Sequence, residues 1–109
     1  MGAAFVVKDG VASGSLPHGL EIGGKQSKAF ELREYTVEDL LDAETEASVT
    51  QPLTFNAQLM IRQLVRVGDF KGPFTLNMIK RLKPADWRVL RAAQTELEAL
   101  GEAEPASGA

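Results

Sequence analysis

The sequence predicts an α+β fold: an N-terminal β-hairpin packed on a small bundle of three to four helices. Two observations carry this. Apolar residues alternate up to Leu32 and recur at helical spacing after Thr36. A Gly-containing connection, "GGKQS" (23–27), separates two short runs of strand character. A length of 109 residues with 44% hydrophobic content fits one domain that holds its own core.

The hairpin strands are "LEI" (20–22) and "KAFEL" (28–32). Leu20 and Ile22 share one face, as do Phe30 and Leu32, and a lone hairpin needs helices to cover that face. Thr36 reads as the N-cap of a first helix, with Asp39 three residues on. On that helix Val37, Leu40, Leu41, Ala43 and Ala47 gather on one side. Glu38, Asp42 and Glu46 recur every fourth residue on the other. A second helix is expected from Leu53 to Val67, stopping at Gly68, with Leu53, Ala57, Met60, Ile61 and Leu64 as its apolar stripe.

Thr75 caps a short helix carrying Leu76, Ile79 and Leu82. Pro84 opens a fourth helix, whose inward face is Trp87, Leu90, Ala93, Leu97 and Leu100, and Gly101 ends it. The expected core is Leu32, Leu40, Leu64, Ile79, Leu82, Trp87 and Leu90. Residues 1–15 read as a flexible arm, with Phe5-Val6-Val7 as at most a short strand, 16–100 as the single folded domain, and 101–109 as a disordered tail.

The net charge of −3 is unevenly spread. Between Glu31 and Glu46 there are seven carboxylates and one cation, Arg33. Residues 62–91 hold eight Lys or Arg against Asp69 and Asp86. A dipolar layout of this kind suits docking between copies, or onto a charged partner. Like charges at i, i+4 destabilise a helix, so the Glu38, Asp42 and Glu46 row makes most sense opposite something basic.

Catalytic chemistry is not indicated, and the chain is expected not to be an enzyme. Cysteine is absent and His18 is the sole histidine, so neither a thiolate nucleophile nor a zinc ligand set can be assembled. The carboxylates lie on a helix and not in a Gly-turned calcium loop. Gly23-Gly24-Lys25 leads into a strand, unlike a phosphate loop. No cofactor and no metal are expected. No apolar run approaches a membrane span, so no membrane partner is expected either.

The cations Arg62, Arg66, Lys71, Lys80, Arg81, Lys83, Arg88 and Arg91 admit a second reading, a small DNA-binding regulator using residues 62–91. The acidic total and the lack of interleaved aromatics favour solvated helix faces instead, with no nucleic-acid partner. Phe55 and Leu59 lie off the main stripe of the second helix, beside Arg62 and Arg66. They read either as the second covered side of a central helix or as an apolar anchor flanked by arginines. In the anchor reading Phe55, Leu59, Arg62 and Arg66 form one face, pairing with Glu38, Asp42 and Glu46 of a neighbour.

The strings "LPHGLEI" (16–22), "FELREYTVEDLLDAE" (30–44), "QLVRVGDFKGPFTLNMIKRL" (63–82) and "KPADWRVL" (83–90) occur in an order that resembles the tail assembly chaperones of Mu-like and related long-tailed phages. The resemblance covers residues 16–100. It departs at Lys83, where such proteins carry Ser or Thr. It implies a binding protein of the host cytoplasm, outside the mature virion, that shields the tape measure protein until tail tube subunits polymerise around it. Its implied partners are the tape measure protein, the tail tube protein and further copies of itself. It also implies a short form and a frameshifted longer form, of which this chain would be the short one.

Overall fold

The computed structural model describes residues 4–48 and 50–103, with side chains described to residue 100. The chain runs β1 (Phe5–Lys8), β2 (Val11–Ile22), β3 (Lys25–Arg33), α1 (Val37–Glu46), α2 (Pro52–Gln63), β4 (Leu64–Val67), α3 (Leu76–Lys80) and α4 (Pro84–Ala103). The four strands form one antiparallel sheet in the order β1-β2-β3-β4. The α+β class is what the change of period implied, but the sheet has four strands where a two-stranded hairpin was expected, and the fourth follows α2.

Both hairpin turns have two central residues. Asp9 and Gly10 have φ of 55° and 77°, and Gly23 and Gly24 have 61° and 79°. Two successive positive φ values define the turn whose twist matches antiparallel strands, and Asp-Gly and Gly-Gly are the pairs that tolerate it. The stretch expected to be a flexible arm is therefore strand from Phe5 onward, because Asp9-Gly10 folds it back as a third ribbon. Residues 1–3 lie outside the described residues. The second connection is Gly23-Gly24 alone, since Lys25 already pairs with Ile22.

Strand β2 is interrupted where its register against β3 shifts, between Ser15 and Leu20. Pro17 in this stretch has no N–H to give to the ladder. Gly19 closes it at φ 94°, where a Cβ would sit 2.7 Å from the Ser27 carbonyl oxygen. The freed His18 N–H donates to Asp86 Oδ1 at 2.8 Å, tying the interruption to the first turn of α4. The His18 side chain itself is exposed.

One face of the sheet carries Ala12, Leu16, Leu20, Phe30 and Leu32, and α4 lies over it with Leu90, Ala93 and Leu97. Met60, Leu64, Val67 and Phe74 complete the core. Of the expected core, Leu32, Leu64 and Leu90 are buried, while Leu40, Ile79, Leu82 and Trp87 are half-buried.

The second helix is shorter than expected. It ends at Gln63, and Leu64–Val67 pairs with β3 as the fourth strand. Leu64 continues the helical stripe, but Val65 and Val67 are β-branched and gain more from pairing with an open sheet edge. At its other end the fourth helix passes Gly101 and runs to Ala103. Residues 104–109 of the expected disordered tail lie outside the described residues.

Candidate functional site

Helix α1 starts on a reciprocal cap. The Thr36 hydroxyl accepts from the Asp39 N–H at 3.2 Å, and Asp39 Oδ2 accepts from the Thr36 N–H at 2.8 Å. Asp39 also receives both terminal nitrogens of Arg33, at 2.8 and 3.2 Å. Nη2 of Arg33 reaches on to the Arg62 carbonyl at the end of α2, at 2.7 Å. Burial by itself would raise the Asp39 carboxyl, but bonds from Arg33 and Thr36, with the Arg33 charge, hold it below the usual carboxylate range.

A group with a lowered folded pKa contributes stability above its unfolded value and loses it as pH falls through the folded one. Asp39→Asn should therefore lower the urea midpoint at pH 7, and the gap between variant and parent should shrink as pH falls through and below the ordinary carboxylate range. A gap of constant size from pH 7 to pH 2 would show that the Asp39 charge does not stabilise the fold.

This clamp decides which way α1 faces. Asp39, Ala43 and Ala47 are buried and Leu40 is half-buried, so Val37 and Leu41 point outward at 68% and 59% exposure. The apolar arc expected to bind the core is thus split. Glu38, Asp42, Glu44 and Glu46 are all exposed.

The basic half of the chain surrounds an apolar groove of about 370 Å³, within the size range of ligand pockets. Leu53, Thr54 and Ala57 of α2 form one wall. Leu76, Ile79, Lys80 and Leu82, from α3 and the turn after it, form another, and Pro84 and Trp87 of α4 close it. Leu53 is 67% exposed at its edge. Among the described residues, Lys80 is the only ionisable one in the lining. Such a lining can bury an apolar ridge but offers no acid–base pair to a reaction. Among the described residues no group of three or more His, Cys, Asp or Glu could hold a metal ion, and no helix is long and apolar enough to cross a membrane.

The residues expected to form one partner-binding face are dispersed. Leu59 is buried at 3% exposure and Phe55 is half-buried, so α2 is covered on that side. Arg62 donates to the Gln58 carbonyl and side chain at 2.7 and 3.0 Å. Arg66 lies on β4, bridging Glu31 across the strands at 3.2 Å and donating to the Gly68 carbonyl. The end of α2 at Gln63 removes the helical spacing that would have aligned Arg66 with the other three.

A buried polar chain joins α4 to α2 and β3. Gln63 Nε2 donates to the Arg33 carbonyl at 2.7 Å, and Gln94 Nε2 donates to Gln63 Oε1 at 2.7 Å. Arg91 in turn donates to Gln94 Oε1. Sequence reasoning passed over both glutamines, as nothing local marks a buried amide pair whose members lie 31 residues apart.

The tail assembly protein gp41 family of Mu-like phages matches residues 16–107. The chain belongs to that family. The match spans β2 to α4, so it includes the groove, the acidic helix and the Arg33–Asp39 clamp. No curated protein and no solved structure matches the chain. The family places the protein in phage tail assembly, which takes place inside the host cell.

Proposed function

We propose that the protein is a tail assembly chaperone, a non-enzymatic binding protein that holds apolar helical segments of the tape measure protein in the α2–α3–α4 groove. By shielding them it prevents aggregation, helps recruit tail tube subunits, and leaves before the virion matures. The groove itself carries this reading: an apolar trough between helices, here with Lys80 in its lining, is the usual receptor for the apolar face of an amphipathic helix. Membership of a tail assembly family supports it.

The DNA-binding alternative is weaker, because Arg62, Arg66 and Arg91 are engaged within the protein. The helix α3, which would have to enter a groove of the duplex, has five residues.

Leu53→Glu provides the test. The residue is exposed and lies in the first turn of α2, where a carboxylate favours the helix, so the fold should persist. Co-purification of the parent with the tape measure protein, and at least about tenfold weaker capture by Leu53→Glu, is the expected result, in line with loss of one anchor contact. Equal capture by parent and variant would exclude the groove as the client site.

A further inference from the structure

Residues 34–61 contain six carboxylates and no Lys, Arg or His. Residues 70–91 contain six Lys or Arg and one carboxylate, Asp86, which is fully buried. The fold sorts these two segments onto different surfaces. The acidic one presents α1, whose principal packing partner is α2. The basic one supplies most of the groove.

At about 100° per residue, Val37 and Leu41 form a single outward ridge on α1. Glu38 and Asp42 flank it on one side and Glu44 on the other, all exposed. The groove has the inverse arrangement. Its lining includes Leu76, Ile79, Leu82 and Trp87, with Lys80 beside them. Arg81 and Lys83 flank Leu82 and Pro84, Arg88 follows Trp87, and all three are exposed. None of these four cations has an ion pair among the described residues. An apolar ridge with an acidic rim and an apolar trough with a basic rim are complementary in both shape class and charge.

We propose that the groove of one copy receives helix α1 of a second copy, with Val37 and Leu41 in the trough and Glu38, Asp42 and Glu44 against Lys80, Arg81, Lys83 and Arg88. The two surfaces are different patches of the same chain. Such a head-to-tail contact leaves a free ridge at one end and a free groove at the other, so copies add into an open chain unless the rotation closes a ring. The contact also uses the groove assigned above to the client. To that extent it rests on that reading: self-association and client binding are then alternatives at each groove, and a tape measure helix displaces the neighbour's α1.

The test uses two surface variants of the full chain, Leu41→Glu on the ridge and Leu53→Glu in the groove. Sedimentation equilibrium of the parent should show mass increasing with concentration, and association at least about tenfold weaker in either variant. Mixing the two variants should restore association, but only as 1:1 pairs, because the first retains an intact groove and the second an intact α1. High salt should weaken the contact only in part, since apolar burial persists when charges are screened. A monomeric parent at every concentration, full association of Leu41→Glu, or a mixture that stays monomeric would each overturn the proposal. Client capture separates this inference from the chaperone reading. Leu41→Glu, with no neighbouring α1 to displace, should capture the tape measure protein at least as well as the parent does, whereas Leu53→Glu should capture it at least about tenfold more weakly.

Discussion

Replacing Phe30 with alanine should remove about 3–5 kcal/mol of stability, a large part of the ~5–15 kcal/mol typical of a domain. Phe30 is 1% exposed in the middle of β3 and belongs to the cluster that includes Leu16, Met60, Leu90 and Leu97. Its neighbours come from the sheet and from two helices, so no single element can shift to fill the space. The loss has a transfer part and a cavity part, and rigid surroundings enlarge the second. The check is a urea titration with an unchanged slope and a lower midpoint. Val6→Ala, at a position 67% exposed, should stay within about 0.5 kcal/mol of the parent. A Phe30→Ala loss as small as the Val6→Ala loss would mean that helix α4 does not pack on β3 as described.

Gln63→Leu should cost about 2–4 kcal/mol although leucine fits the volume and adds apolar surface. Gln63 is fully buried, donating to the Arg33 carbonyl and accepting from Gln94. Leucine leaves both of those groups without this partner in a dry interior, where each lost bond weighs more than the bond gained in folding. Gln94 Nε2 is then left with a long 3.4 Å contact to the Asn56 carbonyl, while Oε1 still accepts from Arg91. Gln94→Leu made in the Gln63→Leu background should therefore be much less harmful than Gln94→Leu alone. A coupling above about 0.5 kcal/mol in the double-mutant cycle is expected for residues in one network, and additive losses would show that the two amides act separately.

How much of this was legible depends on how local each cause is. The cap of α1 was readable because Thr36 and Asp39 satisfy each other's amides within four residues. The turn at Asp9-Gly10 was equally local: Asp-Gly between Phe5-Val6-Val7 and Val11-Ala12 is a strong hairpin signal, and reading that stretch as an arm underused it. The end of α2 was not readable. Leu64 satisfies the helical stripe and the strand alternation alike, and its state is settled by Leu32 across the sheet. The outward turn of Val37 and Leu41 was hidden for a related reason. Periodicity groups apolar residues, but the Arg33–Asp39 bond holds the polar side of the helix inward. The groove draws its walls from α2, α3 and α4, so no short string could announce it.

The placement of β4 has a consequence for how the chain reaches this structure. Strands β1, β2 and β3 pair through two-residue turns, so their contacts join residues close in sequence. The pairing of β3 with β4 instead closes a loop containing the whole of α1 and α2, with Arg33 and Gln63 meeting across 30 residues. Loop closure of that kind must be met in entropy before the contacts beyond it contribute, and its cost grows with the logarithm of loop length. Sequence separation favours formation of the three-stranded ribbon ahead of the β3–β4 pairing. Arg33 stands at the closing point of that loop and bonds to both helices of the excursion, Asp39 on α1 and the Arg62 carbonyl on α2. By bonding to both, it holds the two ends of that excursion together beside the β3–β4 pairing.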